Sequence, residues 1–350
     1  MKILYAVQGT GNGHVSRARE IIPLLRKRCE TDVLISGDQA NLSLPFEPEF
    51  RLHGLTFAHG KKGGIDFSKT YKKANVRRFM EEINSLPVKD YDFVLNDFEP
   101  VSAWACYKKK VPCIALSHQS ALLDSGIPKP DHKDPIGSFI LKNYAPSGYY
   151  FGLHFSRYSK QLFTPIIRKE IREASKVNKG HYTVYLPAYD DNFLLEYLGR
   201  ISDIKFQIFS PVIAKPYVKD NIEIRPVDSR SFTQSIVSCE GILCGAGFET
   251  PAEALFLGKK LLVVPMKNQY EQFFNAAALK SMGVPVVKKL TKSKFERICE
   301  WIVQDYKIEV TYPDVTEKII NRIFEMYVDG NFEGFKSPRK FKMIPSKKLL

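Results

Sequence analysis

His14 closes the run Gly9-Thr10-Gly11-Asn12-Gly13-His14. Three glycines leave the backbone open to a ligand, and the histidine follows at the start of a helical pattern. The positive end of a helix dipole disfavours the imidazolium, and a neutral imidazole can take a proton from a hydroxyl. A capping or packing role is the plain alternative there. Asp97 and Glu99 stand at the end of another apolar run, in Asn96-Asp97-Phe98-Glu99-Pro100. His118 ends a third, in Ser117-His118-Gln119. Carboxylates at strand ends can orient a hydroxyl or the histidine; equally, one of them can cap the helix that opens at Pro100. The second stretch that can do chemistry is Gly245-Ala246-Gly247-Phe248-Glu249-Thr250-Pro251-Ala252-Glu253. A strand, a glycine turn and a helix start present free N–H groups and a positive dipole end, which suit phosphate. Glu253 lies further into that helix, where a carboxylate can reach the hydroxyls of a sugar attached to the phosphate. Glu271 and Gln272 fall in a polar set just past the next strand, Asn268 to Ala276, placed to hydrogen-bond a sugar.

These residues need two sheets to position them. Residues 3–8 read as a buried strand. Val15, Ala18, Ile21, Ile22 and Leu25 then follow helical spacing, with Arg17, Arg19, Arg26 and Lys27 on the wet side. A strand, glycine loop and helix at the start of a chain open a doubly wound α/β domain. Further strands are expected at 32–35, 91–95, 111–116 and 149–155. A polar stretch, 157–179, leads to a second series at 183–186, 204–209, 222–224, 241–244, 261–265 and 284–287. Val315, Ile319, Ile320, Ile323, Phe324 and Tyr327 form one stripe of a packing helix. The expected division is a Rossmann-like domain over 1–156, a linker over 157–180 and a second Rossmann-like domain over 181–312. A helix in 313–330 returns toward the first domain, and a basic tail covers 331–350.

Composition bounds the function. With 350 residues, 44% hydrophobic and 26% charged, the chain has room for two cores. No apolar run reaches the ~18 residues of a membrane span. No long apolar leader follows Met1, so a cytoplasmic location is expected. Cys29, Cys106, Cys113, Cys239, Cys244 and Cys299 form no CxxC pair, which points to free thiols and no structural zinc. Most of the +14 net charge sits in two places: 59–79 has seven cations against Asp66, and 331–350 has six against Glu333. Such clusters suit an anionic surface or an anionic substrate; solvated segments with no partner are the plain reading. The chain lacks an RRM-like motif or a recognition helix, so nucleic acid is disfavoured. NAD is disfavoured too: His14 stands where G-x-G-x-x-G needs its third glycine, although Asp38 could imitate the ribose acid. Asp190 and Asp191 open a helix, where acids are favoured without a metal.

The glycine-histidine run and the stretch from Gly245 to Ala276 resemble the GT-B glycosyltransferases. The likeness is to the lipid II N-acetylglucosaminyltransferase and to the galactolipid (monogalactosyldiacylglycerol) synthases. Gln272-Phe273-Phe274-Asn275-Ala276 matches their Gln-x-x-Asn-Ala segment, while Asn12, the Asp97/Glu99 pair and Glu271 depart from the lipid II pattern. The resemblance implies two Rossmann-like domains facing across a cleft and an inverting glycosyltransferase using a nucleotide sugar, with a UDP-linked donor expected. Gly245, Ala246, Gly247 and Phe248 would hold the donor diphosphate, Glu253 the ribose, and Gln272 with Glu271 the sugar. His14 or Asp97, with Glu99 near, would deprotonate the acceptor, and Gly11, Asn12, Gly13 and His118 would face it. No metal and no cofactor beyond the donor is implied. The acceptor would be a hydroxyl, on a lipid or cell-envelope molecule. The basic stretches would then meet an anionic membrane on its inner face. A UDP-sugar 2-epimerase of the same fold and a non-catalytic nucleotide-sugar or nucleic-acid binding protein are the alternatives.

Overall fold

The computed structural model describes residues 1–37, 44–55, 75–131, 134–175 and 177–330. Asp38, most of the basic stretch 59–79 and the whole tail 331–350 lie outside the described residues.

Two sheets carry the molecule. The first holds β1 (Lys2–Gln8), β2 (Glu30–Ser36), β3 (Phe50–Leu52), β4 (Phe93–Asp97), β5 (Cys113–Ser117), β6 (Tyr149–Leu153) and β7 (Leu162–Phe163). All are parallel, in the order β3-β2-β1-β4-β5-β6-β7. The second holds β8 (His181–Tyr185), β9 (Lys205–Ser210), β10 (Tyr217–Lys219), β11 (Ile222–Pro226), β12 (Gly241–Cys244) and β13 (Lys260–Val263). Its order is β10-β11-β9-β8-β12-β13, with β10 an antiparallel edge. Parallel sheets are covered on both faces, so their strands read as continuous apolar runs. That is why β1 is buried from Ile3 to Gln8, and β4 and β12 throughout.

The strand order reverses between β1 and β4, and again between β8 and β12. In open α/β sheets the ligand crevice lies beyond the carboxyl ends at such a reversal. Each of the two glycine turns leaves a strand at one of these points. β4 ends two residues later than its apolar pattern. Asn96 and Asp97 stay in the ladder, opposite Ala6 and Val7, and are wholly buried. The polar stretch 157–179 contains β7 and the short helix Lys169–Arg172.

The helix Thr316–Val328 buries Ile319, Ile320, Ile323 and Met326, and lies on the first half of the molecule. The rings of Phe324 and Tyr327 meet that of the buried Phe93 at 5.8 and 5.0 Å. The halves are also joined beside the cleft. The His118 ring stacks on Phe248 with centroids 3.9 Å apart, and its Nε2 lies 2.6 Å from the Asn275 amide oxygen. The Asn275 amide nitrogen donates to the Ala246 carbonyl at 3.0 Å. Removing a buried partner strands the groups it satisfied. Asn275→Ala is therefore expected to cost about 2–3 kcal/mol in urea unfolding.

His154 is fully buried 5.9 Å from His118, and burial, aided by His118, pushes it down from 6.5 to about 3. Between those values the unfolded chain binds a proton here that the folded chain does not. Stability must therefore fall as pH falls through that window. The expected result is that His154→Gln loses less of its melting temperature than wild type between pH 7 and pH 5. Equal losses would contradict it.

Candidate active site

The helix Asn12–Arg26 starts from Gly11, whose φ of 124° suits only glycine, and no side chain caps it. The helix Glu249–Phe256 likewise starts without a side-chain cap, from the 245–248 turn. The helices Asp191–Gly199 and Ser229–Ser238 also begin beside the cleft, but Asp190 and Asp228 cap them. At neither of the two glycine turns does a side chain cap the helix that follows, an arrangement that suits an anion. Between them lies a cleft of about 800 Å³ lined by Gly11, Asn12 and Gly13 on one side and by Gly245, Gly247 and Phe248 on the other.

Beside the cleft, the first turn of helix Asn12–Arg26 carries a buried charge cluster. The His14 Nδ1 is 2.8 Å from Asp97 Oδ1. Arg17 donates to both oxygens of Asp97, from Nε at 2.9 Å and Nη2 at 2.8 Å, and from Nη1 to Glu249 Oε1 at 2.5 Å. Burial works to raise the Asp97 carboxyl, but Arg17 and His14 outweigh it and hold the group below its usual range. Burial likewise opposes the Arg17 charge, and Asp97 and Glu249 more than restore it. An ionised Asp97 accepts from Nδ1–H, which assigns the tautomer and leaves Nε2 with its lone pair. Nη2 of Arg17 is 3.1 Å from the same Nδ1; since guanidinium only donates, the two donors share Asp97. The Gln119 amide nitrogen lies 3.4 Å from His14 Nε2 and donates at 3.0 Å to Glu271 Oε2 in the other half. His14 keeps 12% of its side chain exposed, whereas Asp97 has none.

The chain turns sharply after Asp97. Phe98 takes a left-handed φ of 57°, and its ring lies parallel to His14 with centroids 6.5 Å apart. The turn brings both Glu99 oxygens onto the N–H groups of Val101 and Ser102. Glu99 is therefore the helix cap, wholly buried, and takes no part in the His14 cluster. Arg17 is not on the wet side: it is 4% exposed. It sits three residues after His14, on the same helical face, and that spacing was the available signal.

The donor-side residues divide. Glu253 lines the cleft and is gripped at both oxygens by Arg168, at 2.5 and 2.8 Å. Gln272 also lines it, but its oxygen accepts from the Ala246 and Met266 N–H groups and its nitrogen donates to Gln269. It ties the turn after β12 to the loop after β13. Ala246 is buried beneath the turn. His118 faces the joint between the halves. Asp191 accepts from Ser210 at 2.7 Å. Arg168, Gln119 and Glu249 did not stand out as site residues, because their partners are remote in sequence.

A family model described as glycosyl transferase family 1 matches residues 1–304. The chain belongs to that family. Solved structures share its layout, at identities that carry the fold alone. The transferase is 15% identical to Arabidopsis thaliana UGT89C1 complexed with UDP, covering 94% of this chain and 98% of that one, with TM-score 0.59. The glycotransferase of kitacinnamycin matches at 14% identity, 94% and 95% coverage and TM-score 0.57. Acinetobacter baumannii MurG matches at 13% identity, 93% and 99% coverage and TM-score 0.53. No curated protein matches the transferase in sequence. The architecture is GT-B, and the activity of the family is sugar transfer. Among the described residues no helix is long and apolar enough to cross a membrane.

Arg17 is the cation between two carboxylates. Removing one member of a buried ion cluster costs roughly 3–5 kcal/mol. Arg17→Met is expected to lose that much in urea unfolding, and Arg17→Met/Asp97→Asn to recover part of it.

Proposed function

We propose that the transferase moves a sugar from a UDP-linked donor to a hydroxyl acceptor with inversion at the anomeric carbon. The observation that carries this reading is the His14–Asp97 pair set beside two uncapped helix starts that face each other. The acceptor hydroxyl gives its proton to His14 Nε2 as its oxygen attacks the anomeric carbon. The bond from that carbon to the diphosphate oxygen breaks, and UDP departs toward the 245–248 turn. Backbone N–H groups and the dipole of helix Glu249–Phe256 stabilise the charge that develops there. Asp97 balances the imidazolium that forms. Glu253, oriented by Arg168, accepts from the ribose hydroxyls, and Glu271 with Gln272 borders the sugar.

The UDP in the Arabidopsis relative's complex supports the choice of nucleotide. A lipid-linked or cell-envelope acceptor at an anionic membrane face would give the two basic stretches their partner. The domain division at 156, 180 and 312 belongs to the same proposal, with the donor held by the second half.

The test is turnover with a panel of UDP-sugars and hydroxyl acceptors, scored by UDP release and by the anomeric configuration of the product. General-base catalysis is worth roughly 10²–10⁴-fold. His14→Ala and Asp97→Asn are expected to lower kcat by at least about 100-fold while UDP still raises the melting temperature. Full activity in both variants would sink the mechanism. An altered UDP-sugar formed without acceptor would move the chain to the epimerases.

A further inference from the structure

Gly13 is a glycine in a helix with no positive φ to explain it. A Cβ at that position would fall 2.5 Å from Glu249 Oε2 and 2.6 Å from Glu249 Cδ. Chain neighbours and the helix's own backbone aside, the three nearest heavy atoms among the described residues all belong to Glu249. A long carboxylate side chain ordinarily swings aside for a methyl group, but this one is held. Its Oε1 accepts from Arg17 Nη1 at 2.5 Å, and Arg17 is buried against Asp97. The Glu249 side chain thus lies flat across the first turn of helix Asn12–Arg26 and is pinned there by the cation that also holds the His14 partner.

We propose that Gly13, Arg17 and Glu249 form a clasp between the halves, with Glu249 a positioning residue for transfer. Glu249 is the first residue of the helix whose N-terminus faces the cleft. Its bond to Arg17 therefore fixes how far that helix start stands from the His14–Asp97 pair. Attack requires the base, the hydroxyl and the anomeric carbon to line up, and about 1 Å of misplacement can cost ~10²-fold. The clasp acts on that spacing. Gly13 and Glu249 border the cleft, but the 245–248 turn and Glu253 do not depend on the clasp, so nucleotide affinity depends on it little. The positioning role rests on the transfer reading above; the contact itself rests on geometry alone.

A double-mutant cycle tests both parts. Alanine is the better helix former, so an uncrowded Gly13→Ala change raises stability. In wild type it must instead push Glu249 off Arg17, and Gly13→Ala is expected to lower stability in urea unfolding. In the Glu249→Ala background the same change is expected to raise it. The same sign in both backgrounds would overturn the clasp, whatever the activity proves to be. In turnover, Gly13→Ala and Glu249→Ala are each expected to lower kcat about tenfold or more, with the donor KM within about threefold. The double variant is expected to be no slower than Glu249→Ala alone. Losses that appear in KM with kcat kept, or that multiply in the double variant, would overturn the positioning role. Glu249→Gln retains the reach but weakens the bond, and is expected to fall between wild type and Glu249→Ala.

Discussion

One guanidinium is shared by two carboxylates that come from opposite halves of the molecule. Arg17 meets Asp97 at the end of β4 and Glu249 at the start of the helix that follows β12. Arg17 and Asp97 are sealed from water, while Glu249 keeps 31% of its side chain exposed at the cleft. Buried charges persist only when paired, because desolvation of each costs several kcal/mol. That requirement fixes the geometry around it. Asp97 must end its strand beside Val7, the helix carrying Arg17 must leave β1 through a tight glycine loop, and the second half must approach closely enough for Glu249 to arrive. His14 inherits its place from this arrangement, since its Nδ1 contacts the carboxylate that Arg17 holds.

The sheets make the meeting possible. Both reverse strand order at the point from which a glycine turn leaves, so both crevices open toward one cleft. The uncapped helix starts follow from the residues at the two cap positions: Gly11 has no side chain, and the Phe248 ring cannot accept from an N–H group. The neighbouring helices are closed by the side chains of Asp190 and Asp228. An anionic leaving group is thereby directed to one place. The contacts that line the halves up lie around it: His118 on Phe248 and on Asn275, and Arg168 on Glu253.

Much of this was legible in the sequence, and for a local reason. Buried parallel strands are continuous apolar runs, and glycine turns are punctuation, so β1, β12 and their turns were read where they stand. The helix Thr316–Val328 showed its stripe, starting within one residue of the expected position. The joining of His14 with Asp97 was open as one of several arrangements, because it spans the order of β1 and β4, which no local pattern encodes. Arg17 was misplaced for the same reason: a cation beside apolar residues looks solvated until its carboxylates, far along the chain, are brought to it. Glu99 shows the opposite case. Its helix cap was a local possibility stated alongside the catalytic one, and the left-handed turn at Phe98 selects the cap.

Asp97, held by Arg17, fixes the tautomer of His14 with the proton on Nδ1 and the lone pair on Nε2. Nitrogen NMR on protein labelled at the histidine rings reads this directly, with His14→Gln used to assign the signal. The expected result for the neutral ring is a protonated Nδ1 and a bare Nε2, with loss of that preference in Asp97→Ala. A ring protonated at Nε2, or an even mixture of the two forms in the wild-type protein, would contradict it.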